Sequence, residues 1–182
     1  MPTVGAEAPP AGSHGLRAVL AALITVVIDA GQLIALGRLN LIGLLDALFV
    51  EVQVPEAVIR ECLARPDNPD AACVRRALDT GQLVACPNPL NTLAGLDMGE
   101  SATIVRTKAI GAAVLMYERI GRQQALAKGL RVTGTLAVLM RARQRGLTVP
   151  VGPLIATLRA SGQRLSQPLV LSALAAVGEG PA

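Results

Sequence analysis

The chain has no tryptophan, one tyrosine, one phenylalanine and one histidine in 182 residues. A core without aromatics must be built from Leu, Val, Ile and Ala, and bases find almost no aromatic surface on which to stack. The single histidine, His14, lies in a Gly/Pro/Ala-rich leader, which sets aside serine-triad and histidine-based chemistry. The three cysteines, Cys62, Cys73 and Cys86, are odd in number and lack metal-type spacing, so they read as core thiols of a reducing cytoplasm. Long apolar runs are missing too. Ala18 to Ile28 is too short to span a bilayer and ends in Asp29, and no small-residue cleavage site follows Arg17. The expectation is a cytoplasmic protein with no membrane association. Neither G-x-x-x-x-G-K-[ST] nor a G-x-G-x-x-G after a strand is present, which leaves an ordinary nucleotide-binding enzyme unsupported.

What is there is aliphatic and mildly basic: 52% hydrophobic residues, a net charge of +4 and a pI near 9.5. The balance fits a partner that carries phosphates, or an acidic protein. Residues 1–22 read as a flexible tail and 23–180 as one domain. Val26, Val27 and Ile28 form a β-branched run apolar on both faces, the pattern of a buried parallel strand. Asp29 follows directly, then a helix-like spacing of Leu33, Ile34 and Leu36. Leu41, Leu44, Leu45 and Leu48 read as an amphipathic helix, and Phe49 to Val54 as a strand with Val50, Val52 and Val54 on one face. Pro55 opens a helix with Val58, Ile59, Cys62 and Leu63 on its stripe; Glu56 with Arg60, and Glu61 with Arg65, pair on the other side. A helix from about Asp70 to Leu78 and a strand at Gln82 to Ala85 come next. The helix after Asp97 is expected to turn Ala102, Val105, Ala109 and Ile110 inward. Ala113 to Met116 and Leu130 to Val132 read as strands, each followed by a helix, the second capped by Thr135; two helices close the chain, over Pro153–Ala160 and Pro168–Val177. Strands alternating with helices predict an α/β fold around a parallel, doubly wound sheet.

Three acids fall at strand ends or helix starts: Asp29, Glu100 and Glu118, with Asp97 nearby. In a doubly wound sheet such ends converge on one edge. Carboxylates around a wet cleft suit Mg²⁺ or Mn²⁺, which activate water and offset charge on a phosphodiester. The competing reading is local. Asp29 is a favoured N-cap, Asp97-x-x-Glu100 has the form of a capping box, and Glu118 can be a solvated first-turn acid.

The series VVIDAGQLIAL, FVEVQVPEAVIREC, LDMGESATI, VLMYERIGRQQA, LRVTGTLAVLMRARQRG and LRASGQRLSQPLVLSALAAVGE, in that order over about Ile24 to Glu179, resembles the PIN-domain superfamily. Within it the likeness is to the ribonuclease toxins of prokaryotic toxin–antitoxin pairs. The resemblance implies a three-layer α/β/α sandwich, an acidic pocket holding Mg²⁺ or Mn²⁺, and cleavage of RNA. It puts Asp29 and Glu100 in the places of the first two metal-binding acids. The third acid's place falls on Tyr117, with Glu118 as an imperfect neighbour; Thr135 falls near a fourth acid or hydroxyl. The usual Ser or Thr pair after the first acid is replaced by Ala30 and Gly31. Arg119, Arg122 and Lys108 would meet RNA phosphates, or else form a solvated basic face. Relatives pair as homodimers and are masked by a cognate antitoxin. Apolar residues of Leu41–Leu48 and of the last two helices are the expected contact surfaces. Loss of the third acid leaves a second reading beside the nuclease: a catalytically silent PIN-like protein that binds RNA or a partner protein.

Overall fold

The computed structural model describes residues 24–180. The expected tail and His14 lie outside them. Five strands form one wholly parallel sheet in the order β3-β2-β1-β4-β5: β1 (Thr25–Ile28), β2 (Glu51–Pro55), β3 (Val84–Cys86), β4 (Ala113–Leu115) and β5 (Arg131–Thr133). Helices fill every connection, as parallel pairing requires. They are α1 (Ala30–Arg38), α2 (Leu44–Leu48), α3 (Glu56–Leu63), α4 (Pro69–Asp79), α5 (Met98–Ile110), α6 (Arg119–Ala127) and α7 (Thr135–Gln144). Two more, α8 (Val151–Ala160) and α9 (Gln167–Ala176), close the fold.

Side chains alternate along each strand, so the sheet feeds two cores. Val26, Ile28, Val52, Val54, Ala113 and Leu115 face a large aliphatic core with residues of α1–α4 and α7–α9. Val114 and Met116 face a smaller one with Ile104 of α5 and Ala125 of α6. The predicted three-layer α/β/α sandwich is thus present, and no helix among the described residues is long and apolar enough to cross a membrane.

Four local expectations are corrected. Only Leu44–Leu48 of the Leu41–Leu48 stretch is helical; Leu44, Leu45 and Leu48 are buried, and α2 packs on α7 rather than offering an interface. Val50 stands just before β2 and is exposed, whereas Gln53 is nearly buried between Val52 and Val54. The inward face of α5 is Ser101, Ala102, Thr103, Ile104 and Thr107, while Val105, Ala109 and Ile110 face out. The threonines tolerate burial because the hydroxyls of Thr103 and Thr107 donate to the carbonyls of Gly99 and Thr103, at 2.8 and 2.7 Å. Thr135 is not the cap of α7: Gly134 is, without a side-chain bond, and the Thr135 hydroxyl donates instead to Gln32 Oε1.

Candidate carboxylate site

The chain leaves β1 for β2 and β3 on one side and returns to β4 on the other, so the sheet reverses direction between β1 and β4. The crevice outside the carboxyl ends of such a pair is where doubly wound sheets place ligands. Asp29 stands there. Its N–H extends the ladder by donating to Leu115 O at 3.0 Å. The residue is 4% exposed; Oδ1 accepts from Gln32 N at 2.8 Å and Oδ2 from Tyr117 N at 2.7 Å. Asp29 therefore caps α1 and also ties the start of α1 to the end of β4.

Glu100 comes from the first turn of α5, and the capping box is complete. Glu100 N donates to Asp97 Oδ1 at 2.8 Å, and Asp97 N donates to Glu100 Oε2 at 3.2 Å. Gly121 of α6 lets this turn approach closely: a Cβ there would sit 3.3 Å from Glu100 Oε1 and 2.6 Å from Met116 Sδ.

Burial, above all, pushes the Asp29 pKa up to about 7, against the two backbone N–H groups that lower it; the charges of Glu100 and Glu61 raise it further. Glu61 is raised by burial, then by Asp97 and Glu100. Glu100 is raised by burial, eased by the Asp97 N–H, and raised again by Asp97 and Glu118. These are like charges gathered with no cation among the causes of their shifts. Glu61 was not among the site residues expected from the sequence, where it was paired with Arg65. Its position three residues after buried Val58 and beside buried Cys62 sets it at the edge of the core-facing stripe of α3, and that was the available signal. The Cys62 thiol is pushed up to about 12, first by burial and then by Glu61 and Asp29, so it stays a neutral core thiol.

The other expected residues scatter around this centre. Glu118 is exposed at the N-cap position of α6 and makes no side-chain cap bond, though its charge reaches Glu100. Arg119 is exposed beside it. Arg122 turns inward, and its Nη1 donates to Met116 O at 2.7 Å and to Thr133 O at 3.0 Å, stapling the ends of β4 and β5. Lys108 lies eight residues along α5 from Glu100, about 12 Å of helix rise, in a groove with Leu93, Val105 and Lys128. It is not brought to the carboxylates. Tyr117 points away from them, and its hydroxyl accepts from Arg164 N at 2.8 Å in the loop between α8 and α9. The bare position at Gly31 has a reason as well: a Cβ there would meet Tyr117 Cβ at 2.9 Å.

A family model described as a PIN domain matches residues 25–179. The chain belongs to the PIN-domain family. PIN domains are in general a metal-dependent nuclease fold. No curated protein matches the chain. Among solved structures, a PilT N-terminus domain protein of the hyperthermophilic archaeon Sulfolobus solfataricus P2 superposes with a TM-score of 0.44 at 14% identity, over 79% of this chain and 98% of that one.

PIN domains typically use divalent ions, and this donor set fits one in kind but not as a closed cage. Among the described residues no three His, Cys, Asp or Glu side chains converge to enclose a metal. The available oxygens, however, are hard carboxylate donors carrying uncompensated like charge. Mg²⁺ commonly keeps several waters and takes only one or two protein carboxylates plus substrate phosphate. Asp29 and Glu100 meet that lower requirement.

Proposed function

We propose that this PIN protein is a divalent-cation-dependent endoribonuclease and the toxin member of a toxin–antitoxin pair. The observation that carries the reading is Asp29: a buried carboxylate at the switch point, its pKa raised, beside Glu100 and Glu61 with no cationic partner among the described residues. Asp29 and Glu100 would hold Mg²⁺ or Mn²⁺, and when bound such an ion supplies Lewis-acid polarisation of the phosphodiester and activation of water. The backbone N–H groups of Gln32 and Tyr117 fix the Asp29 carboxylate in one orientation, while the capping box fixes Glu100. Glu118 and Arg119, at the exposed start of α6, assist in positioning the strand, and a cognate antitoxin covers this face. The protein acts as a single domain over residues 23–180 and pairs as a homodimer.

A second reading is favoured by Tyr117, whose hydroxyl is spent on Arg164 where the third acid would stand. It is a PIN protein that binds RNA without cutting it. One experiment separates the two: calorimetric titration of Mn²⁺ into the parent and into Asp29→Asn, with cleavage of a single-stranded RNA followed under the same conditions. Binding and cleavage that both vanish in the variant support the nuclease. RNA retained without Mn²⁺ uptake or cleavage supports the silent protein.

A further inference from the structure

Helix α5 is turned inside out. Its buried face carries Ser101, Thr103 and Thr107 beside Ala102 and Ile104, while Val105, Ala109 and Ile110 face away from the core. Val105 and Ile110 are each 37% exposed. The buried hydroxyls are all spent within the protein. Those of Thr103 and Thr107 donate to the helix's own carbonyls, and that of Ser101 accepts from Leu93 N at 2.9 Å. The inward polarity is thus settled, and the outward apolar face is not. A helix normally keeps its apolar stripe for the core, so apolar side chains gathered outward mark a surface that something else covers.

That outward face has both a shape and a charge. A groove of about 350 Å³ lies on it, lined by Leu93 of the loop before α5, by Ile104, Val105 and Ala109 of α5, and by two lysines, Lys108 and Lys128. Ile104, 1% exposed, forms its deepest part. Lys108 stands in the last turn of α5 and Lys128 at the C-cap of α6, and both are exposed. Each cation suits the negative end of its helix, but that needs no apolar wall between them. No acidic residue lines the groove, and neither lysine has a hydrogen bond or ion pair among the described residues. After Glu100 the charged residues of α5 are Arg106 and Lys108, and those of α6 are Arg119 and Arg122.

From this arrangement we infer that the groove docks an acidic amphipathic helix of a partner protein. Apolar side chains from one stripe of that helix enter between Leu93, Val105 and Ala109, and its flanking carboxylates meet Lys108 and Lys128. The charge counts against a second copy of this chain, because face-to-face pairing would set lysine against lysine. The shape counts against a lipid surface, since a concave groove receives side chains whereas a bilayer is entered by side chains that protrude. RNA would satisfy the lysines and leave the apolar walls in water. The groove lies about 12 Å of helix rise from Glu100. It needs no cation at Asp29 and Glu100, so it stands or falls apart from the nuclease and the antitoxin cover proposed above.

The test is calorimetry in excess EDTA on the full chain with a synthetic peptide of about 18 residues, long enough to be helical. The peptide carries Leu on one stripe and Glu on both flanks; a second peptide has Lys for every Glu. Phosphatidylglycerol vesicles and a single-stranded oligouridine are the other probes. Two variants are compared with the parent: the double change Lys108→Glu with Lys128→Glu, and Ala109→Lys. All three positions are exposed, so the fold is kept. Expected is binding of the Glu peptide alone, weakened at least about tenfold by the double reversal, which turns two attractions into repulsions. Ala109→Lys also weakens it, although its added charge has the attractive sign, because its side chain fills the groove. No binding of the Glu peptide, equal binding of the Lys peptide, or affinity unchanged in both variants overturns the inference. Vesicles or oligouridine bound as tightly as the peptide, with the same sensitivity to the double reversal, overturn it in favour of a lipid surface or RNA.

Discussion

Asp29→Asn tests the electrostatic argument by itself, with no substrate present. In the folded protein the Asp29 pKa is near 7, whereas in the unfolded chain it returns to about 3.9. Between these values the folded state holds a proton that the unfolded state has released, so stability falls as pH rises through this window. The contribution is full below pH 4 and gone above pH 7. From pH 5 to pH 8 the parent loses about 3 kcal/mol from this one group, two pH units at about 1.4 kcal/mol each. Glu61 and Glu100, also raised, add to the loss in the same direction. The variant cannot titrate at position 29. Its carboxamide oxygen satisfies one of the two backbone N–H groups, and its NH₂ meets the other, donor against donor, at about 1–3 kcal/mol. Asp29→Asn is therefore less stable than the parent at pH 5, and the deficit shrinks or reverses by pH 8. Urea denaturation at pH 5, 6, 7 and 8 reads this directly in EDTA. Parallel stability–pH curves for the two proteins would refute the burial argument and, with it, the special character of Asp29.

Four further outcomes follow from the same geometry. Tyr117→Asp leaves the Mn²⁺ affinity unchanged by calorimetry, because the side chain at position 117 points away from Asp29 and Glu100 toward the α8–α9 loop; tighter binding would mean that position 117 does face the site. Tyr117→Phe removes the acceptor for Arg164 N and speeds amide hydrogen exchange at Arg164 while global stability changes little. Gly37→Ala drives a Cβ to 2.9 Å from Asp70 Cβ and 3.1 Å from its Cα, where α1 and α4 touch. Because backbone must move, it costs about 1–3 kcal/mol in urea denaturation. Glu179→Gln weakens the start of α8, whose Val151 and Gly152 N–H groups both donate to Glu179 at 2.8 Å, and lowers Tm. The Glu179 pKa is raised by burial, but the Gly152 and Val151 N–H groups and Arg143 outweigh this and hold it below the usual range. The parent accordingly loses this stabilisation as pH falls through the acid range, and the variant does not.

The alternation of β-branched runs with amphipathic helices was enough to read the parallel sheet, because a strand buried on both faces is apolar throughout and a helix is so only on one stripe. Asp29 as both a cap and a strand-end acid, and the Asp97–Glu100 box, were legible for the same reason: each is a contact between residues three apart. Their union was not. Only the strand order, with β1 beside β4, brings Asp29 to the Tyr117 amide 88 residues away. Only the packing of α3 on α5 carries Glu61 to the carboxylates instead of to Arg65. The inward face of α5 escaped prediction because threonine buries readily once its hydroxyl is bonded to its own helix, which hydrophobic spacing does not record. The groove between Leu93, Val105 and Lys128 was beyond any local pattern, since it is made where α5 meets the loop before it and the end of α6. Sequence settled which segments are strands and helices, since burial patterns are written in one dimension. Tertiary structure decided which side chains share a site, since long-range contacts exist only once the sheet order is set.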